Sequence, residues 1–362
     1  MEKRIEKIRT KFQDFGISKF MVLQEEVYPA FIRYLTGFKG EGILIIDESN
    51  SFFITDSRYE IEAKRVIKNG EVIIARKKYL VEALELGLIK PGEKIGFEAE
   101  MPHRSFLAMK KLLFRNKLVP LMGLIEQISS QKDEGEIKKI KKVLKITEHI
   151  FEKHILPGIK SGIKETDLAA EIIYQGILHG AEDKAFEPTV ASGWRSALPH
   201  GGAFDKKIKA GEIIQFDFGH MYQGYCSDFS RVVIVGEGTT EEQEKIHKIL
   251  AVAQSLAIKK ARAGMKAKDL NKVARDYIEK KGYGQCFGHG LGHGIGILIH
   301  TKPTVNPKSE EILLPGQIVT IEPGIYNPIS GFGGMRIEDM ILIQENGCQR
   351  LNKFPADLII TG

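Results

Sequence analysis

FGHGLGHGIGILIH, from Phe287 to His300, holds three histidines and five glycines. Glycine lacks a Cβ, so such a run lets the backbone turn sharply and approach another strand or a ligand closely. Neutral imidazole binds metal ions and carries protons near neutral pH. An extended chain would separate His293 from His300 by roughly 23 Å, so the two could share one ion only if the chain turned back. We expect one metal-binding histidine and two assisting ones; the alternative is a glycine-rich turn with incidental histidines.

Acidic residues recur in two segments that read as β-hairpins, QFDFGHMYQGYCSDFSR and TIEPGIYNPISGFGGMRIED. Side chains alternate across a strand, which predicts four pairs on shared faces: Gln215 with Asp217, Asp228 with Ser230, Thr320 with Glu322, and Arg336 with Glu338. Four buried carboxylates would repel one another by on the order of several kcal/mol unless cations neutralise them. Oxygen donors with a single imidazole fit divalent ions such as Mn²⁺, Fe²⁺ or Co²⁺. The alternative is solvated acids at hairpin ends.

The region after residue 130 repeats one pattern, in which two helical segments precede an acid-bearing hairpin. The number of residues between Asp217 and Glu322 is close to the number between Asp228 and Glu338. Constant spacing of this kind indicates an internal duplication. Two copies of one unit need a shared interface, and a site placed there would draw its ligands from both.

Composition favours a globular protein of two domains. The 362 residues are 43% apolar and 28% charged, which suits a sizeable core. The net charge of +6 is spread through lysine-bearing helices without interleaved aromatics, so we expect no nucleic-acid partner.

Three cysteines without a CxxC pair argue for a reducing compartment. We see no signal peptide and no apolar run near the roughly 18 residues of a membrane helix, and therefore expect a cytoplasmic protein without a membrane partner.

The amino-terminal part, residues 1–130, reads as a small α/β domain. GILIID and SFFITD are typical of a hairpin, and EVIIAR and KIGFEA of further strands. Its acids and its lone His103 follow ordinary surface patterns, so we expect no chemistry there. The polar stretch SSQKDEGE marks a boundary, and we expect a second, catalytic domain over residues 131–362.

The motifs together resemble the pita-bread metallopeptidases, the superfamily of methionine aminopeptidase, aminopeptidase P, prolidase and creatinase. The resemblance covers essentially the whole chain and rests on five positions in family motifs: Asp217 in DFG, Asp228 in SDFSR, His293 in HGLGHGIG, Glu322 in TIEPGIY and Glu338 in RIED. IRYLTGF and ITDSRYEIEA resemble the extra amino-terminal domain of the proline-specific branch. Creatinase lacks the metal ligands, so their presence counts against it.

The resemblance implies an α/β (α+β) fold: a pita-bread catalytic domain with an internal pseudo-twofold repeat, plus a smaller α/β amino-terminal domain. It implies two divalent metal ions, Mn²⁺ or Co²⁺, with Fe²⁺ or Zn²⁺ as alternatives. Asp217 would hold one ion, His293 and Glu322 the other, and Asp228 and Glu338 would bridge them. Glu322 would also carry a proton from the attacking water to the leaving nitrogen.

Four further residues acquire roles from the resemblance. His300 matches a histidine that donates to the scissile carbonyl oxygen, and His200 matches one that contacts the substrate. Arg336 would support the metal ligands or touch the substrate. His289 is either a wall of the proline pocket or a plain turn residue.

Two positions depart from the pattern of the proline-specific members. Many of them read HExP where this chain reads HTKP, so Thr301 replaces an acid. Some prolidases carry an arginine just after that proline, which holds the free carboxylate of a dipeptide. Thr304 stands there in this chain, and this favours a substrate that continues past proline.

The main hypothesis is an aminopeptidase P-like enzyme that removes an amino-terminal residue preceding proline. The alternative is an Xaa-Pro dipeptidase (prolidase). A metal-free, peptide-binding pseudoenzyme is the third, and the intact set of five ligand positions counts against it. The resemblance also implies a homodimer, and the expected partner is a peptide with proline in second position.

Overall fold

A computed structural model describes the protein over residues 2–24, 30–236, 239–327 and 333–361. The chain divides into two units, Met1–Ser129 and Ser130–Gly362. Among the described residues, no helix combines the length and the apolar character that crossing a bilayer requires.

The first unit is built on a six-stranded mixed sheet. Its strands are β1 (Lys19–Gln24), β2 (Gly42–Asp47), β3 (Ser51–Thr55), β4 (Glu71–Ile74), β5 (Lys94–Glu98) and β6 (Lys117–Leu121), in the order β4-β3-β2-β1-β5-β6. Its helices are α1 (Glu2–Arg9), α2 (Phe12–Phe15), α3 (Ala30–Thr36), α4 (Glu60–Val66), α5 (Tyr79–Glu85), α6 (His103–Leu112) and α7 (Leu124–Ser130). The predicted hairpin is present as the antiparallel pair β2 and β3. Buried Ile43, Ile45 and Ile54 belong to its apolar core.

The second unit contains two pairs of long helices: α8 (Glu134–Ile150) with α9 (Glu165–Leu178), and α10 (Glu241–Lys260) with α11 (Ala267–Lys280). Reciprocal capping fixes where α8 begins, because Asp133 and Glu136 each accept a hydrogen bond from the other's backbone N–H. Thr240 and Gln243 form the same pair at the start of α10. Such caps stabilise a helix by about 1 kcal/mol.

Strands of the second unit follow each helix pair. They are β7 (Asp183–Lys184), β8 (Thr189–Ser192), β9 (Ile213–Phe218), β10 (His220–Tyr222), β11 (Tyr225–Cys226), β12 (Phe229–Val235), β13 (Gly292–Gly294), β14 (Thr301–Val305), β15 (Ile318–Ile321), β16 (Gly324–Asn327), β17 (Gly333–Arg336), β18 (Asp339–Gln344), β19 (Gly347–Arg350) and β20 (Ile359–Thr361). Two of the sheets have the orders β20-β12-β9-β8 and β14-β13-β15-β18-β19.

The two halves of this unit repeat one arrangement, as the sequence predicts. In the first, β9 pairs antiparallel with β12, and the ribbon β10-β11 lies between them in the chain. In the second, β15 pairs antiparallel with β18, and the ribbon β16-β17 lies between them. Alternation along β9 sends Ile214, Phe216 and Phe218 into the core with α8 and α9, so Asp217 faces the other way.

Both acid-bearing segments are interrupted, although the sequence analysis treats each as one hairpin. Pairing of β15 with β18 ends at Ile321, and pairing of β16 with β17 covers Gly324 onward. Pro323 lies in this break, and proline has no N–H to donate to a ladder. Glu322 lies outside both strand pairs, and its backbone N–H donates to the carbonyl oxygen of Leu291 at 2.8 Å. The hairpin turn, residues 328–332, lies outside the described residues.

His220, the first residue of β10, is buried beside α8 and α9. Its Nε2 lies 3.2 Å from the carbonyl oxygen of Ile172, and its Nδ1 lies 3.0 Å from the hydroxyl of Thr147. Burial lowers the pKa of His220 to about 4, although the hydrogen bond to Ile172 opposes the shift. In the unfolded chain the pKa of this histidine returns to about 6.5.

We expect the free energy of unfolding to fall as the pH decreases from about 6.5 to about 4, because the unfolded chain gains a proton that folded His220 resists. The pKa difference corresponds to a loss of about 3 kcal/mol, complete below pH ~4. Urea unfolding at pH 7 and pH 5 checks this. The decrease between the two should be smaller by about 2 kcal/mol in His220→Gln than in the wild type. An equal decrease in both proteins would exclude His220 as the cause.

Candidate metal centre

The predicted site residues converge on one cavity of the second unit, with a volume of about 500 Å³. Its lining includes every one of them: His200, Asp217, Asp228, His289, His293, His300, Glu322, Arg336 and Glu338. They come from both halves of the repeat. The interface between the two copies is thus where the acids meet, as the duplication predicts.

Strand register brings the first two acids together. Asp217 lies in β9 opposite Ser230 of β12, and Asp228 directly precedes β12. The Ser230 hydroxyl donates to Oε2 of Glu338 at 2.9 Å. Polar residues on the shared face of these strands therefore reach across to the second half.

A second set of hydrogen bonds joins the halves. The backbone N–H of Arg336 donates to Oε1 of Gln215 at 2.7 Å, and Nε2 of Gln215 donates to the Arg336 carbonyl at 3.2 Å. The Thr320 hydroxyl donates to Oε1 of Glu322 at 3.2 Å. Of the polar partners that strand alternation assigns, Thr320 contacts its own acid, whereas Arg336 contacts Asp217 and Ser230 contacts Glu338, each in the other half of the repeat.

The glycines around His293 are required by close backbone approach. A Cβ on Gly292 would lie 2.0 Å from the carbonyl oxygen of Thr320, and one on Gly294 would lie 2.2 Å from that of Lys302. Only glycine allows β13 to fit between β14 and β15 at this separation. The run at residues 287–300 thus serves to bring His293 up to the acids.

His293 presents its Nε2 to the carboxylates. Its Nδ1 lies 3.0 Å from the carbonyl oxygen of Gly294, which can only accept, so Nδ1 carries the proton. Nε2 lies 3.4 Å from Oε1 of Glu322 and 3.6 Å from Oδ2 of Asp228. Burial, with the nearby His300, lowers the pKa of His293 to about 3. The imidazole is neutral, the form that binds metals.

The acids strongly disfavour one another's ionised forms. Burial, then the neighbouring carboxylates, raise the pKa of Asp228 and of Glu338 well above their usual ranges. Burial raises the pKa of Glu322 to about 7, although Arg336 opposes the shift. A site that keeps several acids in such an arrangement needs more positive charge than one arginine supplies.

The residues present fit divalent metal ions. Oδ1 of Asp217 and Oε1 of Glu338 are buried and have no hydrogen-bond partner among the described residues. One ligand atom each from Asp228, His293 and Glu338 lies within 4.8 Å of the others. Buried oxygens without partners are costly unless a cation satisfies them. Four carboxylates with one imidazole form a donor set for hard or borderline divalent ions.

Arg336 is buried between the acids. Its Nη2 donates to Oδ2 of Asp217, and its Nε donates to the Ser230 hydroxyl at 3.1 Å and lies 3.9 Å from Oε2 of Glu322. Its Nη1 donates to the Tyr326 hydroxyl at 2.7 Å. Through these contacts Arg336 can orient Asp217 and Glu322.

The remaining histidines also line the cavity. His300 meets His293 edge to face with ring centroids 4.3 Å apart, because the antiparallel turn from β13 into β14 folds the chain back. The extended-chain separation therefore does not apply. His200 is exposed at the cavity. His289 has a pKa lowered to about 4 by burial and by Arg336, and its Nε2 lies 3.1 Å from the Tyr326 hydroxyl.

Tyr326 is a site residue that the sequence interpretation missed. It connects Arg336 to His289, and burial raises its pKa to about 12. The sequence offered no firm signal, because a spacing of two from Glu322 indicates a shared face only in an unbroken strand, and the strand breaks at Pro323.

Two protein-family models match this chain. Residues 138–345 match Metallopeptidase family M24, and residues 4–128 match the Creatinase/Prolidase N-terminal domain. The chain belongs to metallopeptidase family M24. It is a hydrolase, and the family implies divalent metal ions. The resemblance and the fold class inferred from the sequence are confirmed.

Relatives extend over the full length of the chain. An Xaa-Pro dipeptidase from Pyrococcus horikoshii is 34% identical, with 99% of each chain covered. The solved structure of an Xaa-Pro dipeptidase from Bacillus anthracis has a TM-score of 0.92 at 36% identity, with 99% of each chain covered. An X-Pro aminopeptidase from Thermotoga maritima MSB8 has a TM-score of 0.89 at 36% identity and covers 97% of this chain and 99% of its own.

Proposed function

We propose that this protein is an Xaa-Pro dipeptidase that uses two divalent metal ions, Mn²⁺ or Co²⁺, at the acid cluster. The observation that carries the proposal is the convergence of four carboxylates and one imidazole, two of whose buried oxygens lack hydrogen-bond partners among the described residues. Several relatives are named Xaa-Pro dipeptidase or prolidase, which favours the alternative of the sequence analysis over its main hypothesis. Metal identity, oligomeric state and residue roles stay predictions.

In this proposal Asp217, Asp228, His293, Glu322 and Glu338 bind the ions. When bound, such ions make water a nucleophile at neutral pH and stabilise negative charge on the carbonyl oxygen. Arg336 keeps Asp217 and Glu322 oriented through the contacts described above. Tyr326 and His289 in turn limit the movement of Arg336.

In this proposal, three residues that line the cavity act on the peptide substrate: Glu322, His300 and His200. Glu322 lines the cavity and would hold the proton that passes from the attacking water to the leaving nitrogen. His300 would donate to the carbonyl oxygen as that atom gains charge. His200, which is exposed and lines the same cavity, would contact the rest of the substrate. An Xaa-Pro bond has no N–H, so a site that does not need that donor suits it.

One observation favours aminopeptidase P as a second candidate. The hydroxyl and backbone N–H of Thr304 donate to Oε2 of Glu311 at 3.0 and 2.8 Å. Thr304 lines the cavity, so a negative charge lies just behind the position where some prolidases hold the dipeptide carboxylate with arginine. Lys302 lies 3.9 Å from Oε1 of Glu311, so this wall offers a free carboxylate less attraction than an unpaired arginine would.

A cleavage assay by mass spectrometry separates the two candidates. The protein is incubated with Mn²⁺ and either an Xaa-Pro dipeptide or the corresponding Xaa-Pro-Yaa tripeptide, with a chelator as control. We expect faster hydrolysis of the dipeptide and no hydrolysis with chelator. Faster hydrolysis of the tripeptide would establish the aminopeptidase instead. Equal rates with and without chelator would overturn the metal-dependent mechanism itself.

A further inference from the structure

A second cluster of metal-ligating side chains lies outside the acid-lined cavity. His149 is near the end of α8, His154 is in the π-helical turn Phe151–Ile155 that follows, and His179 directly follows α9. One ring nitrogen of each lies within 4.8 Å of the others. The ring centroids are 5.7 Å apart for His149 and His154, 5.2 Å for His149 and His179, and 4.7 Å for His154 and His179.

The π-helical turn is what brings His154 next to His149. In an α-helix each residue advances by about 100°, so side chains five residues apart point about 140° away from each other. Within the π-helical turn the Leu156 N–H instead donates to the Phe151 carbonyl, five residues back. This wider turn carries His154 round to the side of His149. Single π-helical turns inside α-helices occur frequently at functional sites.

The orientation of His179 is fixed in the way that metal ligands require. Its Nδ1 lies 2.9 Å from the carbonyl oxygen of Gln175, which can only accept, so Nδ1 carries the proton. The lone pair is then on Nε2. Histidine ligands in metalloproteins commonly donate their other ring N–H to a carbonyl or carboxylate in this manner.

The chemistry of the donors differs from that of the acid cluster. All three are imidazoles, and burial and the two neighbouring imidazoles lower the pKa of His149. Three neutral imidazoles suit borderline ions such as Zn²⁺, Ni²⁺ and Cu²⁺, whereas carboxylates suit Mn²⁺. Because His149 is exposed, solvent reaches the group.

We propose that His149, His154 and His179 form a separate binding site for one borderline divalent transition-metal ion. The three imidazoles supply its protein ligands, and water supplies the rest. A bound ion joins the end of α8 to the end of α9. It therefore stabilises the folded chain, since the unfolded chain does not bring the three residues together.

Zinc content tests the site directly. The full chain and the variants His154→Gln and His179→Gln are dialysed against the same low concentration of Zn²⁺, and zinc per chain is measured by mass spectrometry. His103→Gln, which removes an exposed histidine of the first unit, is the matched control. We expect wild type and His103→Gln to bind one zinc ion more per chain than either cluster variant. Zn²⁺ should also raise the Tm less in the cluster variants.

Circular dichroism and Mn²⁺-supported peptidase activity report whether the variants remain folded, because the cluster is separate from the cavity lining. His149→Gln provides a further variant that removes an exposed donor and leaves the π-helical turn intact. Equal zinc content in the wild type, in His149→Gln and in both other cluster variants would overturn the proposal. A deficit of one ion in the folded His149→Gln protein would support it even if the other two fail to fold.

Discussion

Glu338→Ala is expected to lower kcat/KM for an Xaa-Pro substrate by about a thousandfold or more and to reduce bound metal. Glu338 contributes a buried oxygen with no hydrogen-bond partner among the described residues, beside Asp228 and His293. Losing that ligand removes charge stabilisation of several kcal/mol, and about 4 kcal/mol corresponds to a thousandfold change in rate. Metal per chain and steady-state kinetics in Mn²⁺ measure both effects.

The same variant should stay folded. Without metal, burial and then Glu322 and Asp217 oppose the ionisation of Glu338, so alanine removes a buried oxygen that lacks a partner among the described residues, and this offsets the lost hydrogen bond from Ser230. We therefore expect the metal-free variant to unfold at the same urea concentration as the metal-free wild type or a higher one. Glu345→Ala, at an exposed turn after β18, is the matched control and should change neither metal content nor rate. Full activity and full metal content in Glu338→Ala would contradict the ligand assignment.

Arg231→Met is expected to destabilise the protein by about 3 kcal/mol or more, because several buried carbonyl oxygens lose their donor, although Asp339 keeps Arg350 at 2.7 Å. Arg231 is completely buried and pairs with Asp339 at 2.9 Å. Its guanidinium also donates to four carbonyl oxygens, those of Ser230, Glu338, Phe354 and Pro355. Since Ser230 and Glu338 belong to opposite halves of the repeat, losing Arg231 weakens the interface that holds the acids.

Urea unfolding of Arg231→Met, Arg231→Lys and Arg262→Met measures this effect. Lysine keeps the charge but cannot reproduce the planar set of donors, so Arg231→Lys should also be clearly destabilised. Arg262 is exposed, and its replacement should change the free energy of unfolding by less than about 0.5 kcal/mol. If Arg231→Met were as stable as Arg262→Met, the guanidinium would not be what joins the halves.

Strand alternation and internal repetition made much of the site predictable. Asp217 and Glu322 each lie two residues after a polar residue, and of these Thr320 contacts the acid itself, whereas Gln215 contacts the backbone of Arg336 instead of Asp217. What alternation could not predict is the break at Pro323, which frees Glu322 from strand pairing. Pro323 is a local signal for this break, but the corresponding break after Phe218 has no proline, so that one depends on how the strands and ribbons pack.

The histidines illustrate the other limit of sequence interpretation. His293 and His300 were expected to lie far apart if extended, but the return of β14 along β13 brings their rings together. His149 and His154 have a spacing that places them on different sides of an α-helix, and only the π-helical turn makes them neighbours. In each case a change of backbone path, not of residue type, decides the contact.

Anomalous X-ray diffraction from crystals soaked in Mn²⁺ tests the central claim most directly. We predict two manganese peaks in the 500 Å³ cavity, one beside Asp217 and one beside His293 and Glu322, with Asp228 and Glu338 between them. Crystals of Glu338→Ala treated in the same way should lose at least one peak. A single peak, or no peak, among these residues in the wild-type protein would contradict a dinuclear centre.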